Sequence, residues 1–301
     1  MSKRSPCFTA ETDAWMTFLR ARGCSVKTEL TYHAALENIR LFMATRGIAQ
    51  PAQVTATDLQ AWQRHLAATG CVAVTVAIYT QIVQRWFAWQ AASARLFSSP
   101  AQNLTAPKSS PAAGRCPREE DMRHLLDSAR GRDRFAVRDR AILEIAYSTG
   151  ARLEELVRLD VSSLDLRART VRLFGKGDRE RVVPLTRTAV SAIQIYLWRT
   201  RPQFLRGVTG QLALFVGERG SKRMATAAIS GVVKRRGRQI GLVITPHDIR
   251  RACATHLMLR GASPVAVKDL LGHQTYRHLH HYLNPHQFDV LATARKSQIS
   301  Q

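Results

Sequence analysis

Residues 245–257, TPHDIRRACATHL, and residues 270–282, LLGHQTYRHLHHY, decide the fold. Within them His247, Arg250, His273 and Tyr282 follow one another at intervals of three, twenty-three and nine residues. Arginine and histidine donate hydrogen bonds that suit phosphate oxygens, and a tyrosine hydroxyl can attack phosphorus. His247 and Arg250, three residues apart on a helix, share one face. Two more cations lie upstream: Arg152 in STGARLEELVRL (148–159) and Lys176 in the turn of VRLFGKGDRERVVPL (171–185).

The bulk properties point the same way. The chain has 301 residues, enough for two domains, since a single core rarely grows past about 250–300 residues. Its hydrophobic content of 45% is ordinary, but its net charge of +23 calls for a polyanionic partner. No apolar run long enough to span a membrane occurs, nor an amphipathic segment with a wholly basic face, so nucleic acid is favoured over a lipid surface. The five cysteines are scattered and unpaired in pattern, and no apolar signal core opens the chain. A reducing, cytoplasmic setting is therefore expected.

Residues 9–100 read as four helices. Thr9, Thr12 and Asp13 are candidate caps of the first, and Trp15, Phe18 and Leu19 lie on one face of it. Leu30, Ala34, Leu36, Ile39, Leu41 and Phe42 are the core candidates of the second, which stops at Gly47. The third has its cap at Thr55 or Thr57 and ends at Gly70; Ile78, Ile82, Trp86, Phe87 and Trp89 are expected to fill the core from the fourth. SSPAQNLTAPKSSPAAGRCP, from about Ser98 to Pro117, reads as an extended linker, with the boundary of the first domain at residue 100. From residue 118 onward helices surround one short strand unit. VSSLDLRARTVRLFGKGDRERVVPLT alternates and breaks at GKGD, which predicts a hairpin or a three-stranded sheet. The fold class is therefore mainly α with a small β-sheet, an α+β chain in two domains. Between Ser221 and His247, Lys222, Arg223, Lys234, Arg235, Arg236 and Arg238 stand without one acidic residue. By composition this segment is a phosphate-binding face, or else a solvated surface.

Cutting a phosphodiester without a metal requires a nucleophile, stabilisation of two charges at phosphorus, and a proton for the leaving 5′-oxygen. Arginine suits the second task because its planar fork grips two oxygens and stays charged. Lys176 sits between Gly175 and Gly177, which let the backbone approach a ligand closely. The GKG turn lacks the flanking pattern of a nucleotide-binding P-loop, so ATP is not implied. Taken alone, an HxxR pair is most often a surface pair, and a lone LGH or GKG is weaker still. Their order gives them weight: an arginine after a TG turn, a lysine in a hairpin, HxxR on a helix, LGH, then a tyrosine.

In that order these residues resemble the active site of the tyrosine recombinases, which include the phage integrases and the Xer proteins. The likeness extends to residues 159–185 as the family's strand unit. It also covers TELTYHAALENIRLFM (28–43), TVAIYTQIVQRWFAWQ (75–90) and SSPAQNL (98–104) as parts of its core-binding domain. The resemblance implies a helical core-binding domain over residues 1–100, a linker over 101–117, and a catalytic domain over 118–301, forming a clamp on DNA. It further implies that Arg152 and Arg250 stabilise the phosphate, and that His247 handles the nucleophile's proton. His273 then donates to the phosphate, Lys176 protonates the 5′-oxygen, and Tyr282 attacks to leave a 3′-phosphotyrosyl link. No cofactor and no metal are implied. The expected partner is double-stranded DNA with an inverted-repeat site, bound by a dimer at each site and by a homotetramer on two synapsed sites. A Xer-like or transposon-resolving type fits better than a lambda-like integrase, because no arm-site-binding domain precedes residue 9. The role would be in a mobile element or in chromosome or plasmid resolution.

Departures from the family pattern are Arg251, where many relatives carry histidine, and His278, His280 and His281 in place of small hydroxyl residues. The run RHLHHY also invites a metal reading, but neighbouring histidines on one short segment rarely converge on one ion. Tyr276 is a rival nucleophile with the wrong spacing. Glu155 reads as a residue that orients Arg152. Other readings are a type IB topoisomerase and, from another class, a non-cutting DNA-binding accessory or regulator with the same fold.

Overall fold

The computed structural model describes residues 8–107, 116–175, 180–219 and 221–272. The chain divides into two compact units, Met1–Ala113 and Gly114–Gln301.

The first unit is a helical bundle of α1 (Thr9–Ala21), α2 (Val26–Thr45), α3 (Ala56–Ala68) and α4 (Ala73–Ala92). Thr55 caps α3 reciprocally with Asp58, whose carboxylate also pairs with Arg46 at 3.0 Å. The helix α1 starts differently from expectation: Phe8, in the left-handed region at φ 63°, takes the cap position without a side-chain bond. Its ring is 1% exposed and tilts against Trp86 at 5.6 Å, so burial of an aromatic side chain fixes this start. The core holds Leu36, Ile39, Leu59, Trp62, Val83, Trp86 and Phe87.

Four expected core residues lie outside it: Leu30 is 66% exposed, Leu41 52% and Ile78 42%, and Ala34 is exposed as well. The buried stripe of α2 runs through Ala35, Leu36, Ile39 and Met43, and Leu41 stands two residues, about 200°, around the helix from Ile39. Ile78 stands likewise two residues from the buried Thr80 of α4. The first unit also runs past residue 100. Ala101 and Leu104 are 2% and 7% exposed within its core, and Gln63 donates to the Thr105 carbonyl at 3.0 Å. The start of the Pro-rich segment is thus a packed turn on the bundle; residues 108–115 lie outside the described residues.

The second unit is built around α6 (Arg134–Thr149), with α5 (Glu119–Asp127), α8 (Arg187–Ile195), α9 (Arg201–Leu205), α10 (Thr226–Gln239) and α11 (Pro246–Leu259) packed on it. Asp133 caps α6 by accepting from the N–H groups of Phe135 and Ala136. Buried positions on α6 run through Ala141, Ile142, Leu143 and Ile145 in succession, which is the pattern of a helix surrounded by others.

The strand unit is a three-stranded antiparallel sheet, β1 (Leu164–Asp165), β2 (Thr170–Phe174) and β3 (Glu180–Pro184), in the order β1-β2-β3. Val171 pairs with Val183 and Leu173 with Arg181, so Arg181 shares the inward face with buried apolar residues. Two short helices complete the site's frame: α7 (Leu153–Arg158) after Gly150, and α12 (Pro264–Leu271), which ends at Gly272.

Candidate active site

Three of the six predicted residues, Arg152, His247 and Arg250, lie among the described residues, whereas Lys176, His273 and Tyr282 lie outside them. So do the rival Tyr276 and the histidine run at 278–281. Among the described residues, no group of three or more His, Cys, Asp or Glu side chains is placed to hold a metal ion.

Arg152 stands at the N-terminus of α7, immediately after the αL turn that closes α6. Gly150 makes that turn at φ 58°, and a Cβ there would meet Leu271 Cδ2 at 2.5 Å. Glycine is required twice, by the dihedral angle and by the close approach of α12. The helix α11 opens on a reciprocal cap, Thr245 accepting from Asp248 N–H and Asp248 accepting from Thr245 N–H, with Pro246 at its first position. That cap places His247 on the exposed first turn and Arg250 one turn deeper, 3% exposed.

The arginines converge on the C-terminal end of α12. Arg250 donates from Nη1 to the Gly150 carbonyl at 2.6 Å and from Nη2 to the Leu271 carbonyl at 2.8 Å. Arg152 donates from Nη1 to the Leu271 carbonyl at 3.5 Å and from Nη2 to the Gly272 carbonyl at 3.3 Å. A third arginine, Arg181 of β3, donates from Nε to the Leu270 carbonyl at 2.9 Å. The last carbonyls of a helix carry the negative end of its dipole and lack intrahelical donors, so cations are stabilising there. The residue that follows this cap in the chain is His273.

Glu155 balances part of this charge. It is 3% exposed and accepts four bonds: the Arg152 N–H at 2.7 Å, Arg152 Nη1 at 3.0 Å, and Arg181 Nη1 and Nη2 at 2.8 and 2.7 Å. Burial alone would push its pKa up, but the hydrogen bonds from Arg181 and the Arg152 N–H, with both guanidinium charges, outweigh it and hold the carboxyl below its ordinary value. Three cations and one anion leave an excess of positive charge, and Arg152 is the more open of the two predicted arginines, with 39% of its side chain exposed. Such a site suits a phosphate diester, whose oxygens accept charge-assisted bonds.

Sequence reasoning passed over Arg181. The available signal is its register, a charged residue on the inward face of an alternating strand, which requires a buried partner. Reasoning from composition also treated the basic segment 221–247 as one face. Three of its six cations are spent internally: Arg223 pairs with Asp160, and Arg235 and Arg236 both pair with Asp139, which is fully buried. Lys222, Lys234 and Arg238 are exposed. Behind α11, Tyr147 hydrogen-bonds His256 Nδ1 at 2.8 Å; burial pushes the phenol up to about 12 and holds the imidazole below its ordinary value.

The phage integrase family pattern matches residues 117–287, and that of the phage integrase N-terminal SAM-like domain matches residues 12–93. The chain belongs to this family, the tyrosine recombinases. It is 34% identical over 260 residues to tyrosine recombinase XerC of Mycobacterium sp. (strain JLS), covering 84% of this chain and 86% of that protein. Two solved structures share the fold. XerH site-specific recombinase bound to a palindromic difH substrate, a post-cleavage complex, aligns with TM-score 0.72 at 20% identity over 93% of this chain and 81% of that one. A lambda integrase tetramer bound to a Holliday junction aligns with TM-score 0.68 at 19% identity over 88% and 77%. No described helix is long and apolar enough to cross a membrane.

Proposed function

We propose that this protein cuts and rejoins DNA at a specific site through a 3′-phosphotyrosyl intermediate, without metal or ATP. Convergence of Arg152 and Arg250, from separate helices, on the carbonyls that immediately precede His273 carries this reading. In this scheme Tyr282 attacks phosphorus and passes its proton toward His247. Arg152 and Arg250, joined by His273, stabilise the charge that builds on the non-bridging oxygens. Lys176 gives a proton to the departing 5′-oxygen. The new ester conserves the phosphodiester's energy, so a 5′-hydroxyl from another strand reverses the step and restores the tyrosine.

The N-terminal unit, whose core takes in Ala101 and Leu104, supplies the core-binding domain, and residues 118–301 carry the chemistry. The substrate is double-stranded DNA with an inverted-repeat site, bound by two copies, and four copies hold two synapsed sites. The tetramer of lambda integrase on a Holliday junction supports that assembly. The biological setting is a mobile element or the resolution of chromosome or plasmid multimers, in the cytoplasm.

The test uses a nicked suicide duplex bearing the site that the protein selects from a randomised pool. Wild type is expected to form a denaturation-resistant protein–DNA adduct in chelator, and Tyr282→Phe none. Tight, specific binding without an adduct would defeat this reading in favour of a non-cutting DNA-binding protein.

A further inference from the structure

The geometry points to Arg181 as a positioning residue for strand cleavage, acting through Glu155 to fix Arg152 and, through the Leu270 carbonyl, the chain that enters His273. This assignment rests on the cleavage reading above. The guanidinium of Arg181 uses three of its nitrogens on three acceptors: Nη1 and Nη2 form a fork on the two oxygens of Glu155, and Nε binds Leu270. Only 14% of its side chain is exposed, so it serves the interior of the site rather than a phosphate. With Arg152 occupying one more contact on each carboxylate oxygen, Glu155 is saturated and has a single orientation. Removing Arg181 would leave Glu155 held by Arg152 alone, and Arg152 would be steadied only by that loosened carboxylate and by its long bonds to the Leu271 and Gly272 carbonyls, at 3.5 and 3.3 Å.

The approach of the strand to the end of α12 is close. A Cβ on Gly272 would lie 3.0 Å from Arg181 Nη1 and 3.2 Å from its Cδ, and Gly272 itself holds φ 65°. The glycine before His273 thus admits the arginine that fixes it. Arg181, on β3, also lies five residues after Lys176 in the sequence. One side chain therefore ties together the strand after the proposed acid, the helix start bearing Arg152, and the helix end before His273. Lysine cannot replace it: one ammonium can pair with Glu155 but cannot present a planar fork and reach Leu270 at once.

The test compares Arg181→Lys, Arg181→Gln, Glu155→Gln and the Glu155→Gln/Arg181→Gln double variant in the full chain. Single-turnover cleavage of the nicked duplex is measured at saturating DNA, below each variant's Tm, alongside DNA affinity. Misplacing a reacting group by about 1 Å costs on the order of 100-fold, so cleavage by Arg181→Lys and Arg181→Gln should fall roughly 10–100-fold. DNA affinity should stay within about twofold, because a group that acts on the transition state leaves ground-state binding in place. The losses in the double variant should be less than additive, since both substitutions break the Arg181–Glu155 linkage. A merely structural role would lower Tm and leave the rate of the folded protein intact. Wild-type cleavage rates in Arg181→Lys and Arg181→Gln would overturn the assignment, as would fully additive losses in the double variant. If Arg181→Gln does not fold, Arg181→Lys decides. A wild type that forms no adduct overturns the recombinase reading itself, and this assignment with it.

Discussion

Gly150→Ala isolates the contact on which the arginine cluster is built. Two costs add at this position. The residue holds φ 58°, and an L-residue in the left-handed region costs about 1–2 kcal/mol. The new methyl would also sit 2.5 Å from Leu271 Cδ2 and 3.3 Å from Cys253 Sγ, both side chains buried. Overpacking a filled core costs a further ~1–3 kcal/mol, for a total of roughly 2–5 kcal/mol. Gly241 provides the control: it has φ 69°, and a methyl added there would meet nothing within 4 Å, so Gly241→Ala carries the conformational cost alone. A unit of this size loses roughly 2–4 °C of Tm per kcal/mol, so the calorimetric transition of the second unit should drop about 2–8 °C in Gly241→Ala and several degrees more in Gly150→Ala. The Leu271 carbonyl that receives Arg250 and Arg152 moves with its side chain, so DNA cleavage by Gly150→Ala should fall as well. Equal shifts in the two variants would refute the packing argument.

Two further outcomes rest on other contacts. The folded protein holds His256 below its ordinary value of 6.5, chiefly by burial, while Glu119, the Pro117 carbonyl and Asp121 oppose that shift and Arg260 reinforces it. The unfolded chain binds the proton more readily, so this group's stabilisation is full above 6.5, falls as the pH drops below it, and is gone below the folded value. Thermal melts from about pH 7.5 to about pH 5.5 should show a steeper loss of Tm in wild type than in His256→Gln; parallel curves would count against it. In the first unit, Trp62 is fully buried and donates to Asn38 Oδ1 at 2.8 Å. Trp62→Ala should destabilise that unit by about 3–5 kcal/mol in urea unfolding, and a loss under about 1 kcal/mol would contradict the assigned core.

Much of this architecture is legible in the residues. The apolar spacing reveals the four N-terminal helices, and the alternation broken at GKGD yields the sheet, because periods of 3.6 and 2 are properties of sequence alone. Helix faces are harder: Leu30, Leu41 and Ile78 are apolar at plausible spacings, but only packing decides which stripe of a helix turns inward. Packing decides likewise at the start of the Pro-rich segment, where two apolar residues, Ala101 and Leu104, suffice to seat a turn on the bundle. Within the site, Arg152, His247 and Arg250 are motif residues that order and spacing can name. Arg181 is not, because its role depends on register against Leu173 and on a partner 26 residues away. Nor are the receiving carbonyls of Leu270, Leu271 and Gly272, since backbone acceptors leave no trace in side-chain identity.

The whole mechanism turns on a tyrosine of this chain becoming covalently joined to DNA. The direct test is to trap the adduct on the nicked duplex, digest it with protease and nuclease, and locate the residual nucleotide by mass spectrometry. The expected product is a nucleotide linked through its 3′-phosphate to Tyr282, with the 5′-end of the cut strand left as a free hydroxyl. A nucleotide on Tyr276, a 5′-linked adduct, or cleavage with no covalent protein would contradict it.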